Sequence, residues 1–163
     1  MHKKKLNLPD DIFGLCSDCS KEFRENDLLY TFDWSYESME RGSDPGATDS
    51  IVPEEVAGIA AFCKECGEKK DIDKLTAELS PLTKEPDELK NIHAYCNDCG
   101  EPIHCGDKYF SLCWTPQYAK REGTPPQWIS VPERTDGIAV FCEKCGISKD
   151  VSLIEIPEKD ANT

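Results

Sequence analysis

The sequence predicts a small β-rich fold made of two tandem modules with short helices, and three observations support this. Eight of the ten cysteines fall in four Cys-x-x-Cys turns, at Cys16 and Cys19, Cys63 and Cys66, Cys96 and Cys99, and Cys142 and Cys145. The pattern around them occurs twice. An offset of 80 sets Cys16, Cys19, Tyr30 and Trp34 on Cys96, Cys99, Phe110 and Trp114, and an offset of 79 sets Gly58, Phe62, Cys63 and Cys66 on Gly137, Phe141, Cys142 and Cys145, which points to an internal duplication. Finally, 163 residues divided between two copies leave each too small to rely on an apolar core, so each copy needs a covalent or metal staple. Paired Cys-x-x-Cys turns select metal over disulfides, because each turn presents two sulfurs and a tetrahedral ion takes four.

The chain divides into a tail at 1–8, a first module at 9–79, a linker at 80–87 carrying Pro81 and Pro86, a second module at 88–157, and a tail at 158–163. Pro9, Asp10 and Asp11 favour a helical turn before the first cysteine pair. The glycines that follow Cys66, Cys99 and Cys145 suit a left-handed backbone that turns amides toward sulfur, and Ser20 departs from that pattern. Aromatic and β-branched residues over 27–34 read as a strand, with Trp34 as a lid on the core beside the metal. Residues 35–52 lose periodicity and read as a long loop, as do residues 115–128 in the second copy; loops of that length commonly bind something. Ile72, Leu75 and Leu79 recur at helical spacing and Pro81 ends the helix. The matching segment from Asp150 to Ile156 alternates like a strand. His93 matches Phe13 and is expected as a packed histidine.

The expected ligands are Cys16, Cys19, Cys63 and Cys66 for one ion and Cys96, Cys99, Cys142 and Cys145 for the other. A crossed set joining Cys63 and Cys66 to Cys96 and Cys99 closes a shorter loop, but loop-closure cost grows only with the logarithm of length. Duplication favours pairing within copies, since an ancestral single copy had to complete its own site. Two structural zinc ions are the expectation and iron is the alternative. Four thiolates leave no open coordination position for an activated water. Cys105 and Cys113 have no cysteine counterparts and are expected as ordinary thiols, with a weak third site beside His104, or a redox pair across a hairpin, as the alternative.

Thirty-two acids against nineteen lysines and arginines give a formal charge of −13. Eight thiolates and two divalent ions would bring the loaded protein to about −17, a field that repels phosphate backbones and attracts basic proteins. From Cys16 to Cys66 four basic residues face twelve acids, whereas from Cys96 to Cys145 five face seven. Tyr118, Lys120, Arg121 and Trp128 in the second copy combine aromatic faces with cations and are the candidate partner-binding residues. The basic N-terminus lacks the apolar run of a signal peptide, and no segment approaches the length of a membrane span, so a cytoplasmic protein is expected. There is no phosphate loop, nucleophile elbow or His-Glu-x-x-His motif, so no enzyme is expected.

Through its paired cysteine turns, three following glycines and the aromatic strand entering Cys142, the chain resembles zinc-ribbon proteins as a class, with a treble-clef-like scaffold as the alternative. The resemblance implies roles in transcription, nucleic-acid binding or protein assembly. The function expected is a non-catalytic zinc-binding interaction module, an adaptor or inhibitor acting on a basic protein partner. Nucleic-acid association through the second module is the alternative.

Overall fold

The structure is a computed structural model that describes residues 8–43, 48–80 and 84–161. Two small hairpins, β1 (Gly14–Leu15) with β2 (Glu22–Phe23) and β5 (Ile92–Tyr95) with β6 (Pro102–His104), carry Cys16 and Cys19 and Cys96 and Cys99 in their turns. The remaining strands, β3 (Leu28–Glu40), β4 (Ser50–Cys63), β7 (Lys108–Glu122), β8 (Gln127–Pro132) and β9 (Asp136–Cys142), form one five-stranded antiparallel sheet. Its order is β4-β3-β7, with β8 and β9 sharing the far edge of β7. Short helices α1 (Lys64–Gly67) and α3 (Glu143–Ile147) hold the second cysteine pairs, and α2 (Ile72–Leu79) follows α1. Among the described residues no helix is long and apolar enough to cross a membrane.

Both expected long loops are largely strand. Residues 35–40 continue β3 and residues 50–52 begin β4, while β7 runs on to Glu122 and meets β8 across a turn at 123–126. Residues 35–38 lack an apolar alternation because β3 is paired there on both sides, to β4 and to β7, and residues 39–40 stay paired to β4. Ladder hydrogen bonds hold a strand there without a patterned face. Pro116 lies inside β7, although proline removes a ladder donor. In the structure its carbonyl accepts from Glu133 N at 2.9 Å on the side where the ladder is interrupted between β8 and β9, so the missing N–H faces a gap.

Two smaller expectations also change. Instead of a strand after Asp150 there is a 3-10 turn at Val151–Leu153, because the Asp150 carboxylate accepts from Ser152 N at 3.1 Å and Ser152 Oγ at 2.5 Å. Pro9 starts only a single turn, closed by Ile12 N donating to the Pro9 carbonyl at 3.0 Å. The helix expected from Ile72 is present, capped by Asp71, which accepts from Lys74 N at 2.9 Å, and it buries Leu75.

The sheet is continuous across the expected linker, of which residues 81–83 lie outside the described residues. β3 and β7 pair from Leu28↔Tyr118 to Ser38↔Lys108, and Asp33↔Cys113 stands at the centre. Asp33 and Cys113 are separated by the same offset of 80 that relates the first cysteine pairs, so the pairing has a twofold pseudo-axis through them. Phe32↔Trp114 is mirrored by Trp34↔Leu112, and Thr31↔Thr115 by Ser35↔Ser111. The tryptophans obey the same axis and cross over. Trp34 stacks on Phe110 at 5.0 Å and touches Phe141 at 5.6 Å, whereas Trp114 stacks on Tyr30 at 5.4 Å and touches Phe62 at 5.6 Å. Each tryptophan therefore closes the core of the opposite half, not its own as the sequence suggests. Phe32, Leu112 and Phe141 are almost fully buried in this shared core.

Candidate metal centres

Each hairpin turn offers two sulfurs because its backbone folds tightly: Ser20 N donates to the Cys16 carbonyl at 3.0 Å and Gly100 N to the Cys96 carbonyl at 2.9 Å. At the other side Cys63 and Cys142 are the N-caps of α1 and α3, which carry Cys66 and Cys145 one turn on. Cross-links between turn and sheet set the distance between the two pairs. Ser17 N donates to the Ala61 carbonyl at 2.7 Å, and Ala61 N donates to Ser17 Oγ at 3.1 Å. In the second half Asn97 N donates to the Val140 carbonyl at 2.9 Å, and Val140 N donates to Asn97 Oδ1 at 2.7 Å.

The result is two groups, Cys16, Cys19, Cys63 and Cys66, and Cys96, Cys99, Cys142 and Cys145, in each of which the four sulfurs lie within 4.8 Å of one another. The crossed set joining Cys63 and Cys66 to Cys96 and Cys99 is not the one formed. Cys19 Sγ stands 3.8 Å from Cys63 Sγ, and Cys99 Sγ stands 3.8 Å from Cys142 Sγ. That spacing matches the edge of a tetrahedron whose centre is about 2.3 Å from each sulfur, the zinc–thiolate bond length, and is far longer than a disulfide. Each group could hold one metal ion. Cys16 and Cys96 are buried while Cys19 and Cys99 reach the surface.

The thiols are unequal before any metal enters. Burial alone would raise Cys16, but backbone amides at Cys19, Cys63 and Asp18 outweigh it and bring the thiol down to about 7. Cys96 follows the same course, to about 7, through amides at Cys99, Cys142 and Asp98. Cys63 is pushed up by burial, and Cys145 by its hydrogen bond with Cys142 and then by burial. One thiol in each group is thus partly ionised at neutral pH, and a bound cation would draw protons from the others.

A lysine braces each group. Lys70 Nζ lies 2.7 Å from Asp18 and 5.0 Å over the Phe62 ring; Lys149 Nζ lies 3.0 Å from Asp98 and 4.3 Å over Phe141. Each bridge ties the first cysteine turn to the segment after the second. These four residues recur at offsets of 79 and 80, the same offsets that expose the cysteine repeat, so the sequence carried a signal for them. Beside the first group a cleft of about 510 Å³ is lined by Tyr30, Trp114, Lys70, Arg134 and Lys159 among others. Its cations are already engaged: Lys70 with Asp18, Arg134 with Asp136 at 2.9 Å, and Lys159 with the Glu68 carbonyl at 2.9 Å.

The four expected partner-binding residues do not share one surface. Alternation along β7 puts Tyr118 and Lys120 on one face and Arg121 on the other, beside its cross-strand partner Trp128. Arg121 lies 5.4 Å over the Trp128 ring, Trp128 packs on Phe13 at 5.5 Å, and Trp128 Nε1 donates to the Asp10 carbonyl at 3.1 Å. Trp128 therefore fastens the N-terminal segment to the sheet. Cys105 sits in the turn after β6, whereas Cys113 lies five residues into β7 opposite Asp33, about 17 Å along the strand from its start. Among the described residues neither they nor His104 join a metal-holding group. His93 packs its ring on Tyr109 at 5.2 Å, and burial holds its imidazole below the ordinary value.

Compared with family models, curated proteins and solved structures, the chain matches none.

Proposed function

We propose that the chain is a non-catalytic interaction module held together by two structural zinc ions, and that it recognises a protein partner of basic character. The observation that carries this is the pair of closed four-sulfur groups, one in each half of a continuous sheet. Four thiolates occupy every position of a tetrahedral ion, so the metal staples and does not activate water. The acidic balance, −8 from Cys16 to Cys66 against −2 from Cys96 to Cys145, supports a basic partner on the first half. We further propose that the halves arose by duplication of one zinc-ribbon-like unit, supported by the pseudo-axis through Asp33 and Cys113. Nucleic-acid binding draws less support, because Lys120 and Arg121 point to opposite faces and Arg121 is already stacked on Trp128.

Elemental analysis of the reduced protein is expected to give two zinc ions per chain, and chelation is expected to unfold it, since such sites contribute about 10–16 kcal/mol of apparent binding energy. Fewer than one zinc per chain, or an unchanged fold after complete metal removal, would overturn the metal assignment. Affinity capture with metal-loaded bait, scored against metal-free bait, tests the interaction half separately. Recovery of no protein partner would overturn it.

A further inference from the structure

The outer edge of β4, a strand of 14 residues, is largely uncovered. Among the described residues no strand pairs with it on that side, and the first cysteine turn covers it only at Ala61. Residues 53–58 are exposed one after another, so both faces of the strand are open there, not just one. Ile51 is 53% and Val56 58% exposed, which leaves apolar side chains on an unpaired edge. The corresponding edge of the second half is broken instead, because β8 ends at Pro132 and β9 starts at Asp136. An open edge of this kind invites another strand.

Two features limit what that strand can be. The pairing of β4 with β3 shifts register between Phe32 and Asp33 and between Tyr36 and Glu37, leaving residues 55–58 as a regular stretch of four between bulges. Bulges on an edge prevent open-ended stacking while leaving a short segment able to pair. β4 also carries the exposed Glu55 beside Glu54, which is paired with Lys108, and no lysine or arginine, in the half of the chain with net charge −8. A second copy would bring an equally acidic surface against it, whereas a basic segment would be drawn in.

We propose that the β4 edge over residues 55–58 is a docking site for an extended basic peptide segment of a partner, which adds as an antiparallel or parallel strand and sets lysine or arginine against Glu55 and apolar side chains against Val56. This rests on the interaction-module reading and names the surface and the chemistry of its partner. Main-chain hydrogen bonds supply the affinity and alternate side chains the selectivity.

The test is an amide hydrogen-exchange footprint of the metal-loaded full chain with the acetylated peptide Lys-Thr-Lys-Val-Lys-Thr-Lys. The control is the same peptide N-methylated at alternate residues, which keeps every charge and side chain but loses ladder donors. The expected result is exchange slowed at least about threefold at residues 55–58, with affinity at least about tenfold weaker for the methylated peptide and for the Glu55→Lys chain. Glu55 is exposed, and retention of both metal ions by the variant certifies its fold. Three results would overturn the proposal: equal binding of both peptides, no binding up to about millimolar peptide, or slowed exchange confined to another surface. The last would remove this edge while leaving a protein-binding module in place, and loss of the module itself would show in the capture experiment.

Discussion

Gly146 lies in α3 with the Phe110 ring over it, and a Cβ built there overlaps the ring carbons; Gly67 stands in the same relation to Tyr30. Phe110 is hemmed in, because Trp34 stacks on it at 5.0 Å and the Tyr36 ring lies 4.8 Å away. Gly146→Ala is therefore expected to cost about 1–3 kcal/mol in urea denaturation of the metal-loaded chain. A change below about 0.5 kcal/mol would mean that the ring yields freely. The sequence reading assigns these glycines a left-handed backbone, and only Gly100, with φ +74, has one; Ser20 takes the equivalent position with φ +60. Gly67 and Gly146 are instead required by contact with a strand more than thirty residues earlier in the chain. Local sequence cannot disclose such a neighbour, although the repetition of glycine after cysteine made the position visible.

At the level of elements, the strands leading into each cysteine and α2 were legible because aromatic alternation and helical spacing are local. The far halves of the two long hairpins were not, since ladder pairing holds β3 to β4 as far as Glu40 and β7 to β8 as far as Glu122 and needs no apolar pattern. The docking of the β5–β6 hairpin offers a test. His93 faces Tyr109, with Glu37 and Asp49 near enough to favour its charged form, yet burial dominates and lowers its pKa. A depressed folded value means that the unfolded chain takes up the proton first. Stability from this site is then present above the ordinary imidazole value of about 6.5 and is lost as pH falls toward the folded value. His93→Phe copies Phe13 from the first half. Relative to the parent, the variant is expected to lose less stability between about pH 8 and about pH 6 in chemical denaturation. Equal losses would show that the imidazole takes up its proton as readily in the folded chain as in the unfolded one. The metal sites respond to acid in both chains and cancel in the comparison.

Across the whole molecule the cysteine spacing made the two four-sulfur groups legible, but not that a single sheet unites them. Independent modules would unfold one at a time. Eleven paired positions between β3 and β7 and the crossed tryptophans argue for one transition. Cys142→Ser opens the second group and is expected to destabilise both halves together, read as loss of near-ultraviolet dichroism and loss of metal from Cys16, Cys19, Cys63 and Cys66 at the same denaturant concentration. Two separate transitions, with the first group unaffected, would overturn the coupling. The seam at Asp33 and Cys113 has one more consequence. Were the halves separate identical chains, whatever stood on the axis would confront a copy of itself, acid against acid or thiol against thiol. Burial already raises the Asp33 carboxyl, and a second carboxylate there would be harder to accommodate. Covalent union removes that self-encounter. It lets a change on one side of the seam persist without its reflection, so the centre of the sheet can vary one residue at a time, as no position on the axis of a true homodimer can.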